Sequence, residues 1–400
     1  MKRIRNKFGP MDRSLFLTWL MLVGFGLVMI ASASSIKAHN EFVTASGRPD
    51  DYWYLIRQSI WIGISTVALL VFSQIDYRKL RFIAFPALFM VIGLLAAVFL
   101  PVIGGPKVLG AQRWLDIGGQ SLQPSELTKI ALAIYLAAWL ERKGKEVKDF
   151  QYGFLPFVFV LSIIITLLYF QEDLGTTVII CIMAVAVFFI SGAHIGQLAF
   201  GGLIGLLVVA GLITARPFRQ ARIDAWLNPG ADPTGIGYHV TQARYTIGSG
   251  GLFGLGYGHS LQKYEYIPHA PTDSIFAIIC EELGLIGGFV LIGLYLLLLY
   301  RMITIAHQAP DNFGRLLASG IAVWIGIQAF INMGGLLRII PLTGVPLPFI
   351  SYGGSSLLMC SIGIGIVLSI SKHMKQDKKS ANRVNWRRDR GTSRASARSS

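Results

Sequence analysis

Apolar residues in this chain run in long unbroken blocks, where a soluble core would show alternation or helical striping. With about 20 residues needed to cross a hydrocarbon layer, the blocks predict about ten membrane-spanning helices: 15–34, 55–72, 82–100, 127–140, 154–170, 174–190, 195–214, 274–300, 316–336 and 349–371. The expected fold class is an all-α polytopic membrane protein, with a single membrane-embedded domain over 1–371. The basic stretch ahead of the first block looks like the start of a signal peptide. That block is long enough to span and more spans follow, so it predicts an uncleaved first helix.

Charge placement gives the expected orientation. Most lysines and arginines fall at the N-terminus, in the turns 76–81, 141–150 and 301–315, and in the tail 372–400. The positive-inside rule assigns these to the cytoplasm. The interval 101–126 then faces outward, and so does 215–272, a large extracytoplasmic loop between spans seven and eight. The tail reads as a basic, disordered cytoplasmic segment attracted to lipid.

Composition narrows the class further. The chain of 400 residues is 53% hydrophobic and 14% charged, with a mean hydropathy of +0.57, against roughly 25% charged in soluble proteins. Its 44 glycines suit close helix approach in a bilayer. A net charge of +15 would suit nucleic acid, but no fold or aromatic platform accompanies the basic tail, so no nucleic-acid partner is expected. Cys181, Cys280 and Cys360 lie far apart inside apolar blocks, and no disulfide framework is expected.

Three places break the apolar pattern. The run QPSELTK at 123–129 opens the fourth span with Pro124 placed for a first helical turn. Glu126 and Lys129 are three residues apart and share a helix face. An ion there must face protein or water, either as a structural ion pair or as a cation waiting for an anionic head group. The second place is the outer interval, where arginines 216, 219 and 222 have apolar residues between them, an amphipathic pattern suited to the membrane surface, and precede the glycine-rich GSGGLFGLGYG. That loop reads first as a flexible linker, with a backbone able to approach a ligand as the functional alternative, and it matches no Walker or dinucleotide pattern. The third is Thr272–Asp273 before the eighth span, which has the form of a helix N-cap. Glu281 and Glu282 lie deeper, where a carboxylate is either functional or paired internally. His259 and His269 lack metal-ligand spacing and read as solvated.

Four runs carry a resemblance: GAQRWLDIGGQSLQPSELTK, QEDLGTT, LPFISYGGSS, and the long stretch from RIDAWLNPG to CEELGLIG. Together they resemble the SEDS family (shape, elongation, division and sporulation) from about residue 14 to residue 371. QKYEYIPHAPTD is more similar to the division-type, FtsW-like branch than to the elongation-type, RodA-like one. The chain departs from the branch in having Pro271-Thr272-Asp273-Ser274 where His-Thr-Asp-Phe is frequent. The resemblance implies a peptidoglycan glycosyltransferase that polymerises lipid II in septal wall synthesis and releases undecaprenyl pyrophosphate. It implies a class B penicillin-binding transpeptidase and other divisome membrane proteins as partners, and a bacterial plasma membrane location at the division site. By motif, it maps the catalytic acid to Asp273 and an acid–lysine pair to Glu126 and Lys129.

That chemistry can be weighed against the residues. A sugar hydroxyl is a poor nucleophile, and a carboxylate such as Asp273 placed to take its proton helps. A pyrophosphate leaving group needs positive charge, for which Lys129, Arg113 and Lys263 are candidates, with Glu126 and Glu281 as further substrate-binding candidates. A divalent magnesium or manganese ion is a further candidate, since hard oxygen ligands suit both; Asp273 is thus open to two roles, base or metal ligand. No organic cofactor is expected. A lipid II flippase and a non-catalytic division scaffold are the alternatives. The first would place its site near the membrane midplane, whereas the polar clusters here gather at the outer ends of the spans.

Overall fold

The computed structural model describes residues 11–42, 50–100, 105, 112–117, 120–214, 217–231, 235–264 and 266–374. Each predicted apolar block holds a helix: α1 (Arg13–Glu41), α2 (Trp53–Gln74), α3 (Leu80–Ala97), α4 (Pro124–Lys143), α5 (Leu155–Phe170), α6 (Leu174–Ile190) and α7 (Ile195–Thr214) in the first half. Two further helices, α8 (Pro217–Leu227) and α9 (Ile236–Ser249), occupy the interval expected as a loop. α10 (Ile275–His307), α11 (Asn312–Leu336) and α12 (Gly354–Met374) complete the bundle. The all-α expectation is modified by one antiparallel hairpin ahead of α4. In it β1 (Leu115–Ile117) pairs with β2 (Gln120–Leu122), Leu115 opposite Leu122. Residues 375–400, which hold the expected disordered tail, lie outside the described residues.

Seven helical segments among the described residues are long and apolar enough to cross a membrane: α1, α2, α10, α11, α12, and α3 and α5 with the turns that lead into them. α6 and the first part of α7 are apolar but shorter. α4 differs by carrying Glu126 and Lys129 in its first turns and Arg142 and Lys143 in its last. The apolar stretch of α12 is 83% buried and that of α11 67%, against 17% for α2, so the C-terminal helices form the centre and α2 the rim. On the rim Phe82, Phe89, Phe159 and Phe289 are exposed. Large apolar side chains turned outward around a buried helical centre are what lipid solvates and water does not. This is an integral membrane protein.

The local chemistry of the helix ends follows from single residues. Asp12 caps α1 by accepting from the Leu15 amide at 2.9 Å, and Asp311 caps α11 through the Gly314 amide at 2.7 Å. Pro124 opens α4 without losing a helical hydrogen bond. Ion pairs then tie the same end of the bundle together: Arg301 with Asp12, Arg78 with Asp311 at 3.1 Å, and Arg81 with Glu141 at 3.0 Å. The hairpin, α8 and α9 lie with the opposite helix ends.

The glycine-rich loop is not a linker. α10 is interrupted at Gly284, whose φ is 69° and ψ −170°. The break orphans backbone groups on both sides, and the loop supplies their partners. Leu255 and Gly256 amides donate to the Glu281 and Glu282 carbonyls at 2.9 and 3.0 Å, while Leu285 and Ile286 amides donate to Gly251 and Leu252 carbonyls at 2.9 and 3.3 Å. A side chain at Gly284 would place its Cβ 2.4 Å from the Gly254 nitrogen. Gly284→Ala should therefore cost about 1–3 kcal/mol through strain at positive φ alone, with the clash added to it. Thermal unfolding in detergent should show a drop in midpoint for this variant and none for Gly63→Ala, since Gly63 faces open space. Equal midpoints would contradict this account.

Candidate active site

At the end of the bundle opposite the ion pairs, the N-terminal ends of α4, α6, α10 and α12 converge on a cavity of about 390 Å³. Helix N-termini present unpaired amides and positive dipole ends, which favour anions. The cavity wall carries three acids, Glu126, Asp173 and Asp273, and the cationic or titratable Arg57, Arg113 and His269. Trp61, Trp114 and Tyr352 supply aromatic surface.

Asp273 does not cap α10. Ser274 holds the N-cap position with no side-chain cap bond, and its hydroxyl donates instead to the Pro268 carbonyl at 2.7 Å. The Asp273 carboxylate is left facing the cavity and takes no hydrogen bond among the described residues. Its backbone, by contrast, is held on three successive carbonyls. Pro271 O accepts from the Tyr352 amide at 2.9 Å, Thr272 O from the Ser351 hydroxyl at 2.6 Å, and Asp273 O from Asn332 Nδ2 at 2.8 Å. Half-burial raises the Asp273 pKa above the ordinary carboxylate value, and the charges of His269, Arg113 and Arg222 partly offset that rise.

Glu126 and Lys129 form a buried ion pair at 2.7 Å, with Lys129 0% exposed and Glu126 2%. Lys129 also donates to Gln328 Oε1 at 2.7 Å and lies 5.2 Å from the centre of the Trp324 ring. It faces protein, as an intramembrane cation must, and it does not line the cavity. Glu126 does, and its second oxygen, Oε2, is buried without a hydrogen-bond partner. Asp173 caps α6 through the Thr176 amide at 3.3 Å and accepts from Ser125 at 3.1 Å, which joins the starts of α4 and α6. Arg113 reaches the cavity from the stretch ahead of the hairpin and is anchored on the carbonyls of Gln171 and Glu172.

Of the residues singled out in the sequence, Asp273, Glu126 and Arg113 meet in this cavity. Lys263 and Glu281 do not. Lys263 is buried beside Glu282 at 3.8 Å and donates to the Gly258 carbonyl at 2.6 Å. Glu281 accepts from the Ser260 hydroxyl and the Leu261 amide. Both belong to the polar plug that seals the α10 break, in which Glu282 has a basic neighbour in Lys263 and Glu281 is held by a hydroxyl and an amide of the loop. His269 was read as solvated. It is exposed, but on the cavity wall beside Asp273 and with a φ of 54°. Its charge acts on Asp273. Behind it, His239 bonds Ser274 at 2.7 Å, and burial pushes its pKa down to about 4. Arg57 and Asp173 also escaped the sequence reading, and Arg222 was read only as part of an amphipathic stretch. The one available signal was the three-residue connection QED, which forces Asp173 to a helix start.

The described residues include no group of three or more His, Cys, Asp or Glu able to hold a metal ion. Asp273 moreover has arginines for neighbours, which compete with a cation for its charge. The magnesium or manganese ion considered from the sequence has no ready donor set among the described residues.

Fold and site together define a multi-pass helical membrane protein with a charged cavity at one end of its bundle. The family pattern described as "Cell cycle protein" (FTSW_RODA_SPOVE) matches residues 12–376, and the chain belongs to this family. It is 42% identical to the "Probable peptidoglycan glycosyltransferase FtsW" of Trichlorobacter lovleyi over 91% of this chain and 94% of that one. It is 39% identical to "Stage V sporulation protein E" of Bacillus subtilis over 91% and 98%. Among solved structures, a chain from a study of "polymerization and crosslinking by a peptidoglycan synthase complex" superposes with a TM-score of 0.74 at 28% identity, covering 91% of this chain and 98% of that one. The Rod shape determining protein RodA of Thermus thermophilus gives 0.66 at 29%, with 90% and 96% covered.

Proposed function

We propose that this protein is a peptidoglycan glycosyltransferase that polymerises lipid II into glycan strands at the outer face of the bacterial plasma membrane, with Asp273 as its general base. The observation that carries the assignment of the base is the uncapped Asp273 carboxylate facing a cavity rimmed by arginines. In the reaction an acceptor sugar hydroxyl attacks the anomeric carbon of the donor. Asp273 takes the hydroxyl proton, the carbon–oxygen bond to the diphosphate breaks, and the polyprenyl diphosphate leaves with the bonding pair. That anion needs no acid, only positive charge, which Arg57, Arg113 and the nearby Arg222 provide together with the converging helix ends. Trp61, Trp114 and Tyr352 offer flat apolar faces to sugar rings. A donor whose lipid tail stays in the bilayer suits a cavity at the end of a helix bundle.

The FtsW and stage V sporulation names of the relatives support septal over elongation synthesis. The synthase complex, whose description joins polymerisation to crosslinking, supports a class B penicillin-binding transpeptidase as partner. With the basic helix ends cytoplasmic, the cavity opens outward.

The test is glycan polymerisation from lipid II by the purified protein with its transpeptidase partner, followed across pH. A base whose pKa is raised loses its charge, and the enzyme its activity, as pH falls through that raised value. The acid limb of kcat/KM should therefore lie above the ordinary carboxylate value of 3.8. His269→Gln removes a charge that holds Asp273 down and should move the limb to higher pH. A limb at the ordinary value that ignores His269 would count against Asp273 as the base.

A further inference from the structure

α11 contacts both halves of the catalytic constellation without lining the space between them. Gln328 and Asn332 stand one turn apart on its buried face, 0% and 4% exposed. Both amides are fully engaged as donors. Asn332 Nδ2 donates to Asp273 O and to Val345 O, each at 2.8 Å. Both neighbours are carbonyls, so only the NH2 side of the amide can serve them. Gln328 Nε2 donates to Pro346 O at 3.0 Å, while its Oε1 accepts from Lys129 at 2.7 Å and from the Trp324 indole at 2.9 Å. Val345 and Pro346 belong to the strip that follows Gly344, and a Cβ at Gly344 would lie 3.2 Å from Asp273 Oδ2. One helical turn therefore grips the backbone of the base, the strip against its carboxylate, and the lysine that neutralises Glu126.

We propose that Asn332 and Gln328 are positioning residues, an amide ladder that sets the separation between Asp273 and the Glu126–Lys129 pair across the cavity. The inference rests on Asp273 being the base. The ladder touches no substrate and acts through the groups it holds. Two unpaired carbonyls would follow the loss of Asn332, and the Asp273 segment would shift to find water. A displacement of about 1 Å at a reacting group is enough to cost about 100-fold in rate.

The experiment compares Asn332→Leu, Asn332→Ser (which keeps one donor), Gln328→Leu and Asp273→Ala in the complex with the transpeptidase. Rates are taken per folded molecule, with folded protein counted by gel filtration. Asn332→Leu should lower kcat about 10- to 100-fold with KM for lipid II within about two-fold, and Asn332→Ser should fall between it and wild type. Its acid limb should also move to lower pH, because a loosened Asp273 is better hydrated while His269, Arg113 and Arg222 still face it. Wild-type kcat per folded molecule with an unmoved limb in both Asn332 variants overturns the ladder. If Asp273→Ala is itself active, the assignment of the base has failed, and the ladder with it.

Discussion

Replacing Asp273 by alanine, or isosterically by asparagine, should lower glycan polymerisation by about 10²- to 10⁴-fold, the contribution of a positioned general base. The fold should survive intact. The three backbone carbonyls at 271–273 keep their donors, because none of those bonds uses the carboxylate. Stability should even hold or rise, since a half-buried carboxylate with no hydrogen bond is a cost to folding. The signature is therefore an inactive protein that melts no lower than wild type, the usual trade between activity and stability at a functional site. Product on a gel and unfolding in detergent measure the two arms. Full activity in Asp273→Ala would remove the aspartate from the mechanism, and a collapse of the fold would make it structural.

The second large effect is expected at the Glu126–Lys129 pair. Lys129→Met leaves Glu126 charged and buried, with one oxygen already unpartnered. Stranding one member of such a pair costs about 3–5 kcal/mol, so the single variant should be poorly folded as well as inactive. Glu126→Gln with Lys129→Met removes both charges and should recover most of the stability. Activity then separates the roles. If the recovered double variant polymerises normally, the pair only supports the fold. Glu126 reaches the cavity wall, so the double variant is expected to be folded and at least about ten-fold slower, as when a transition-state contact is lost. Lys129→Arg retains the charge, but the larger fork must fit between Gln328 and the Trp324 ring.

Local chemistry was legible in the sequence. Unbroken apolar blocks located the helices because lipid leaves no alternative backbone arrangement, and Pro124 marked the start of α4. The three-residue spacing of Glu126 and Lys129 became a real ion pair because both lie on one helix. Asp273 was found at the mouth of its span because an acid beside an apolar run is conspicuous. The rest depends on contacts that no spacing encodes. Lys263 was offered to the substrate, yet it lies beside Glu282 and Ser32, and Ser32 is on α1. Glu281 likewise lies away from the cavity, and its Ser260 partner sits on a loop whose path the sequence does not show. The glycines at 250 and 254 left a flexible linker open as one reading, and they instead permit backbone-to-backbone contact with residues 280–284. His269 lacked ligand spacing because its relevant neighbour is a carboxylate four residues on, brought round by a turn.

The break at Gly284 divides α10 into two bodies. About nine residues separate it from Ile275, which at 1.5 Å each is about 14 Å, half the thickness of the hydrocarbon layer. The upper stub carries Asp273 at its head, the lower rod is exposed along Phe289, Leu296 and Tyr300, and the loop 250–260 is laced to both sides of the break. The angle between stub and rod is therefore set at that joint by backbone hydrogen bonds to a single loop. The position of the reacting acid thereby depends on that loop as much as on the helix that carries it.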